Sequence, residues 1–192
     1  MAAGDGLRDR KKENTRQALI EAAWRLFRDK GYDATTIEEI AEVALVSKRT
    51  FFRYFPTKEA IVFHRSAERI LLLEGLLAQG GKGWEAVRAA CLAMARHFAE
   101  HKEEVLEQHR LIESTPTLAM TEGEIDRKWV AAIAGALTVR GSPAAARRAR
   151  ILAGAIFGAM RATLAEWVGQ GGDPDLVRLG TEALSLFDRA AA

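Results

Sequence analysis

The sequence has one cysteine, four prolines and only 7% aromatic residues, and its apolar stretches are short. Because Cys91 stands alone, the chain cannot form an internal disulfide or a four-cysteine zinc cluster, and apolar neighbours indicate a buried thiol in a reducing compartment. The longest apolar runs, 130–139 and 151–160, fall well below the roughly 20 residues of a membrane-spanning helix. We therefore expect a cytoplasmic protein with no membrane partner.

An excess of charge of one sign is also lacking. The 28 Lys and Arg residues nearly balance the 26 Asp and Glu residues, and the whole excess of +2 lies in residues 1–60. This balance is too even to identify a nucleic-acid partner by itself. Abundant Ala, Leu, Glu and Arg, with few Val, Tyr and Thr residues, favour helix instead, and the apolar spacing predicts an all-α fold of about nine helices.

Start and stop signals divide the N-terminal third into short helices. Apolar residues recur at helical spacing over 10–30, and Gly31 follows where a helix commonly ends in a left-handed residue. Thr36 and Glu39 stand three positions apart, which is the pattern of a capping box. A second helix is therefore predicted over 37–44.

A third helix, over 48–54, has the mixed character of a helix that contacts DNA. Ser47 is a good N-cap for it, and Pro56 prevents its continuation. Phe51 and Phe55 are expected to pack inward, which leaves long polar side chains facing outward into a groove wide enough for one helix. The residues expected to contact DNA are Thr36, Ser47, Lys48, Arg49, Thr50, Phe52, Arg53, Tyr54 and Lys58.

The segment from Thr15 to Val62, a quarter of the chain, closely resembles the N-terminal domain of the tetracycline-repressor (TetR) family. The most specific matches are Leu26-Phe27, Gly31-Tyr32, Thr36-Ile37, Ile40-Ala41, Val46-Ser47, Thr50, Phe55 and Lys58. The resemblance implies that the third helix enters the major groove of double-stranded DNA and that Thr36 and Lys58 contact phosphates. It also implies that the remaining helices bind a small molecule and form a homodimer.

On this basis we expect two domains. Residues 13–72 are predicted to form the helix-turn-helix DNA-binding domain, with its motif over about 36–55, and residues 73–192 an effector-binding and dimerisation domain. The predicted function is a sequence-specific transcriptional regulator, a repressor that an unidentified and largely apolar effector releases from a pseudo-palindromic operator. No enzymatic activity and no cofactor are expected.

Two positions in the motif depart from the family pattern. The family usually has glycine where this chain has Leu45, and a left-handed backbone would cost a non-glycine residue roughly 1–2 kcal/mol. We therefore expect a somewhat different turn at Leu45. Phe52 replaces the usual tyrosine, which removes a hydroxyl but keeps the ring for contact with a thymine methyl group or a sugar.

Beyond the head, apolar spacing predicts helices over 57–79, 84–99, 102–113, 118–138, 143–168 and 174–190, the last behind an Asp173 cap. Bulky residues spread over these helices are candidates to line an apolar effector pocket: Trp84, Met94, Phe98, Leu111, Ile112, Met120, Trp129, Ile133, Met160 and Trp167. The candidates for a dimer interface are Gly154, Gly158, Ala162, Leu179, Ala183, Leu186 and Phe187.

Two rival functions remain open at this stage. His97 and His101 stand four apart, a spacing that can hold zinc, with Glu100 and His109 near in sequence, but no clear third ligand follows from the sequence and no metal site is predicted. A helical-bundle enzyme or metal-binding protein built on these residues would lack a nucleophile and base at motif spacing. The other rival is a protein-interaction module whose head contacts a protein instead of DNA.

Overall fold

The structure is a computed structural model, described here for residues 3–138 and 142–191. Throughout these ranges the regular structure is helical. The α-helices are α1 Ala3–Lys30, α2 Ile37–Val43, α3 Lys48–Tyr54, α4 Glu59–Val62, α5 Ser66–Gly80, α6 Trp84–Glu100, α7 Lys102–Ser114, α8 Ala119–Leu137, α9 Pro143–Gly169, α10 Leu176–Ser185 and α11 Asp188–Ala191. Within the described ranges, nine of them have seven residues or more, which confirms the predicted all-α fold.

The chain divides into two compact units, Met1–His64 and Arg65–Ala192, called the head and the body below. The sequence placed this division slightly later, after residue 72, because α5 was taken as a connector. The structure instead joins Arg69, which lies before that boundary, to Glu104 and Gln108 of the body through hydrogen bonds of 2.9 and 2.8 Å.

The head is built on helix ends that the sequence predicted. The N–H of Gly31 donates to the carbonyl of Phe27 at 2.9 Å, and the glycine takes a φ of 85°, so α1 ends in the left-handed residue that was expected. The helix begins earlier than predicted, at Ala3. The fully or almost fully buried core of the head comes from all four helices and the residues that follow α1 and α3: Leu19, Ala23, Phe27, Tyr32, Ile40, Ala41, Phe51, Phe55, Ile61 and Val62.

The single helix predicted over 57–79 was wrong, because the chain leaves helical geometry between α4 and α5. Thr57 does cap the start of α4, accepting from the N–H of Ala60 at 3.2 Å. At the other end, the guanidinium of Arg16 donates to the carbonyl of His64 at 3.4 Å, and the ring Nδ1 of His64 lies 2.8 Å from the carbonyl of Ile61. Side chains therefore interact with the carbonyl groups of Ile61 and His64 at the point where a continuous helix would use backbone N–H groups.

The C-terminal helix predicted over 174–190 is also divided. Asp175, not Asp173, is its N-cap, because the Asp175 carboxylate accepts from the backbone N–H groups of Val177 and Arg178 at 2.8 and 3.1 Å. The indole N–H of Trp167 donates to the carbonyl of Pro174 at 2.8 Å. The helix ends at Ser185, and α11 then begins at Asp188.

The body holds two apolar clusters. The larger one joins α5, α6, α8, α9 and the end of α10, and it contains Cys91, whose pKa burial raises to about 12. The predicted burial of this thiol is thereby confirmed. The smaller cluster joins α6, α7, α9 and α10 around Trp167.

A double-glycine turn connects α9 to α10. Gly171 and Gly172 both have positive φ, 70° and 73°. A Cβ atom on Gly172 would lie 2.7 Å from the Lys102 side chain and 3.1 Å from the Trp167 ring. The N–H of Gly172 donates to the carbonyl of Trp167 at 2.9 Å, so the turn closes tightly over the end of α9.

Candidate nucleic-acid interface and ligand pocket

The turn between α2 and α3 has a left-handed backbone at Leu45, although the sequence predicted a different turn there. Leu45 has a φ of 55°, and its side chain is 93% exposed. The N–H of Leu45 donates to the carbonyl of Glu42 at 3.0 Å, and that of Val46 to the carbonyl of Ala41 at 2.9 Å. These are the two hydrogen bonds of a Schellman motif, so the expected different turn was wrong. The leucine tolerates a conformation that favours glycine.

Helix α3 is fixed by a cap at its start and by an aromatic anchor on its inner face. The Ser47 hydroxyl accepts from the N–H of Thr50 at 3.1 Å and lies 2.9 Å from the Thr50 hydroxyl. Phe51 is fully buried, and its ring lies 6.1 Å from that of Phe55 and 5.5 Å from that of Phe52. The helix therefore has a defined orientation within the head.

The outer face of α3 carries cations and an exposed ring. Lys48, Arg49 and Arg53 are exposed, and Phe52 is 46% exposed. The Lys48 ammonium pairs with the carboxylate of Glu38 and lies 5.9 Å from the centre of the Phe52 ring. Arg49 forms no hydrogen bond or ion pair with the residues that the structure describes. Of the cationic groups on this face, its guanidinium therefore has the fewest interactions with other described residues of the head.

Thr36 occupies the start of α2 in the predicted capping box. Its hydroxyl accepts from the N–H of Glu39 at 3.3 Å, while the Glu39 carboxylate accepts from the N–H of Thr36 at 2.9 Å. The hydrogen bond from the Lys30 ammonium, together with those from Thr36, lowers the pKa of Glu39 to about 2. The Thr36 hydroxyl is thus already oriented at a helix start.

Lys58 lies at the start of α4 and is held from inside the head. Its ammonium donates to the carbonyls of Tyr32 and Thr35 at 2.6 and 2.8 Å and lies 4.0 Å from the centre of the Tyr32 ring. Partial burial lowers the pKa of Lys58. Two of its three N–H donors are therefore used to close the loop between α1 and α2. Tyr54 is half-buried beside Arg53, whose guanidinium lies 5.2 Å from its ring centre.

The residues predicted to line an effector pocket lie in different parts of the described body. Trp84, Met94 and Ile133 lie inside the larger apolar cluster, and Phe98, Trp129 and Met160 pack against it. Trp167 lies in the smaller cluster, Leu111 is half-buried, and Met120 is 78% exposed.

A cavity of about 340 Å³ opens between α7, α8 and α9. The predicted Ile112 lines it, with seven residues outside the predicted set: His109, Glu113, Ala119, Glu122, Arg161, Ala162 and Ala165. The Arg161 guanidinium pairs with Glu122 at 3.1 Å and with Asp126. The charged residues of this cavity were not predicted, because the predicted pocket residues were all bulky and apolar. The four-residue spacing of Glu122 and Asp126, which places both carboxylates on one face of α8, was the sequence signal that could have indicated this site.

Helices α9 and α10 leave part of the predicted dimer surface uncovered. Gly154, Gly158, Ala162 and Leu186 are exposed, and a Cβ atom on either glycine would meet nothing within 4 Å. Leu179, Ala183 and Phe187 are half-buried. In the described part of the chain, α9 is also the one helix long and apolar enough to cross a membrane, and 28% of its apolar window is buried. A core helix of a helical bundle meets the same criteria.

Comparisons with known proteins divide the chain in the same way. The family described as bacterial regulatory proteins, tetR family, matches residues 19–64, and the family described as MftR C-terminal domain matches residues 82–191. The HTH-type transcriptional regulator TcmR of Streptomyces glaucescens is 52% identical over 58 residues, or 30% of this chain and 26% of TcmR. The chain thus spans about a quarter of the length of that curated relative.

Two further relatives extend over most of the chain. The fatty acid metabolism regulator protein of Bacillus subtilis (strain 168) is 25% identical over 177 residues, which cover 88% of this chain and 91% of that protein. The crystal structure of Thermus thermophilus FadR, a TetR family transcriptional repressor in complex with lauroyl-CoA, has 29% sequence identity and a TM-score of 0.58. That match covers 89% of this chain and 92% of the FadR chain.

Proposed function

Because the chain belongs to the TetR family of bacterial regulatory proteins, we propose that it is a sequence-specific DNA-binding repressor that a small-molecule effector releases from its operator. Its curated and solved relatives are transcriptional regulators, which are not enzymes. The proposal includes a cytoplasmic location and no catalytic activity.

The orientation of α3 carries this proposal. The Phe51 ring fixes the inner face of the helix, and Lys48, Arg49 and Arg53 face outward with Phe52 among them. A major groove admits one helix, and an arginine reads a guanine through two hydrogen bonds. Arg49 is the residue best placed to read a base, since its guanidinium has no partner among the described residues.

Residues beside α3 are proposed to contact phosphates. The N-terminus of α2 offers free N–H groups beside Thr36, and helix starts bind phosphate in this way. Lys58 retains one N–H donor after its two bonds to carbonyls. Ser47, Thr50 and Tyr54 complete the proposed contacts. These contacts would position α3 without reading sequence.

We propose that two copies pair through α9 and α10. The exposed faces of Gly154 and Gly158 leave room for close approach of another backbone, and Ile151 and Leu186 expose 60% and 77% of their apolar side chains. A two-fold dimer would present two α3 helices to major grooves about 34–36 Å apart, which requires a pseudo-palindromic operator.

For the effector we propose an acyl thioester of coenzyme A. The likeness to FadR, whose structure contains lauroyl-CoA, supports this class. The cavity of about 340 Å³ also falls within the size range of small-molecule pockets. Binding would release DNA only if the effector prefers a dimer geometry that the operator does not.

The DNA-binding proposal is tested by selecting DNA sequences bound by the purified full chain and then measuring affinity for the selected site by fluorescence anisotropy. Arg49→Ala is expected to weaken binding by about 5- to 150-fold, the equivalent of 1–3 kcal/mol for one base-reading arginine. Arg110→Ala, which removes an exposed arginine from α7 of the body, is the matched control and is expected to retain full affinity.

Two outcomes would contradict the proposal. Failure to enrich any DNA sequence would exclude operator binding, and equal losses in Arg49→Ala and Arg110→Ala would exclude α3 as the reading helix. The affinity for operator DNA should also fall linearly with salt on logarithmic axes, with a slope of about −0.9 for each neutralised phosphate. A protein-interaction module need not show that slope.

The effector class has its own test. Lauroyl-CoA is expected to release the DNA complex at concentrations where free coenzyme A and laurate, added separately, do not. Release by laurate alone, or by none of the three, would exclude the acyl thioester and leave the DNA-binding result unaffected.

A further inference from the structure

A cluster of three potential metal ligands lies at the end of α6, and the proposed function does not use it. His97, Glu100 and His101 each offer one ligand atom, and these atoms all lie within 4.8 Å of one another. The two imidazole rings are 4.3 Å apart between centres. Glu100 is therefore a candidate for the third ligand that did not follow from the sequence.

The hydrogen bonding of His101 prepares one nitrogen for a metal. Its ring Nδ1 lies 2.8 Å from the carbonyl oxygen of His97, and a contact with a carbonyl requires Nδ1 to carry the proton. The lone pair is then on Nε2. Histidines that bind metals commonly donate their other ring N–H to a backbone carbonyl, which fixes the tautomer and the ring orientation. This arrangement is already formed here.

Charged groups of both signs surround the cluster. The cluster lies in the last turn and C-cap of the 17-residue helix α6, where the N–H of His101 donates to the carbonyls of His97 and Phe98, and α7 begins directly afterwards at Lys102. Glu100 is exposed and adds a negative charge. Arg69 is the cation that acts on His97, but its guanidinium is bound by Glu104 at 2.9 Å and by Gln108 at 2.8 Å.

We infer that His97, Glu100 and His101 bind one divalent transition-metal ion of the zinc class, with water completing its coordination. Two histidines and one glutamate form a donor set that holds zinc in proteins while leaving an open position. The spacing H-x-x-E-H, which these residues match, places two zinc-binding histidines on one helix in a class of metallopeptidases. Because Lys102 begins α7 directly after His101, the ion would fix the junction of α6 and α7.

The experiment uses the full chain without an affinity tag, freed of metal by chelation, and needs no DNA. Titration with Zn²⁺ by calorimetry, and with Co²⁺ by absorption spectroscopy, is expected to give one ion per chain. His97→Ala and His101→Ala should each weaken zinc binding about 100-fold or more, and Glu100→Gln about 10-fold. Zn²⁺ should raise the melting temperature of the wild-type chain but not of the double histidine variant.

His109→Ala is the matched control, because it removes a histidine from α7 outside the cluster and should retain wild-type zinc affinity. Glu100→Gln changes an exposed side chain, so its effect does not depend on a histidine variant remaining folded. Less than one ion per chain, equal affinity in the wild-type chain and Glu100→Gln, or an equal loss in His109→Ala would each overturn the inference.

Discussion

The head and the body achieve order by different means. In the head, short helices are separated by turns that local hydrogen bonds define, such as the capping box of Thr36 and Glu39 and the Schellman turn at Leu45. In the body, longer helices are positioned by side chains that come from distant parts of the sequence, as in the cavity between α7, α8 and α9. The turns of the head are therefore specified within a few residues, whereas the body depends on tertiary packing.

The largest expected effect comes from removing the aromatic anchor of the head. Phe51→Ala deletes a fully buried ring and should cost about 3–5 kcal/mol of stability. Such a loss exceeds what a unit of about 60 residues can spare, so the head should unfold and DNA binding should be lost. Hydrogen exchange followed by mass spectrometry would show fast exchange confined to the head.

Phe52→Ala is the matched control, because it removes the same ring from an exposed position on the same helix. It should leave the head folded. If Phe51→Ala instead accelerated exchange equally in α6 and α9, the two units would not be independent and the comparison would fail.

The next largest effect tests the body. Glu104 neutralises the buried Arg69 at 2.9 Å and also binds Arg65 at 2.8 Å. Glu104→Ala would leave a buried cation without its carboxylate, and we expect a loss of about 2–3 kcal/mol in denaturant unfolding of the body. Glu103→Ala removes an exposed carboxylate one position earlier and should change stability little. Equal effects of the two variants would show that this ion network does not stabilise the body.

A smaller effect of opposite sign is expected in the head. Leu45→Gly relieves the left-handed backbone at a cost in chain entropy and should raise the stability of the head by about 1 kcal/mol. Leu45→Ala separates backbone strain from side-chain loss, because alanine keeps the Cβ atom that causes the strain. Denaturant midpoints followed by hydrogen exchange in α1–α3 would measure both variants. A gain in Leu45→Ala as large as that in Leu45→Gly would contradict the strain explanation.

The smallest effect is a pH dependence in the head. Hydrogen bonds from Lys30 and Thr36 lower the pKa of Glu39 from its ordinary value of 4.5 to about 2. Because the folded pKa is depressed, the contribution of Glu39 is present above about pH 4.5 and is lost as the pH falls toward 2. Glu39→Gln preserves the shape of the capping box without the charge, so its stability should lack this component.

Denaturant midpoints between pH 6 and pH 2 would measure the difference between the wild-type chain and Glu39→Gln. Glu42→Gln, which neutralises an exposed carboxylate on the same helix, is the control and should follow the wild-type curve. Identical curves for all three proteins would show that the capping carboxylate contributes nothing to the pH dependence.

Predictions that depend on neighbouring residues were confirmed, whereas features that depend on residues distant in the sequence were not predicted. The capping box, the Ser47 cap and the bounds of α3 depend on residues within three or four positions of one another, and the structure confirms them. The break between α4 and α5 was missed because it involves Arg16, which is 48 residues from His64. The charged residues of the cavity between α7, α8 and α9 were not predicted, because Glu122 and Arg161 meet only after α8 and α9 pack together. The DNA, effector and dimer contacts stay predictions.

The double-glycine turn after α9 limits how this part of the chain can vary in evolution. A side chain at position 172 would need a strained backbone and would also displace both the Lys102 stem and the rigid ring of Trp167, whereas position 171 faces open space. Both glycines have a positive φ, but only Gly172 is also restricted by neighbouring side chains. Sequence drift should therefore reach Gly171 first, in the form of asparagine or aspartate, which tolerate a positive φ, while Gly172 stays fixed.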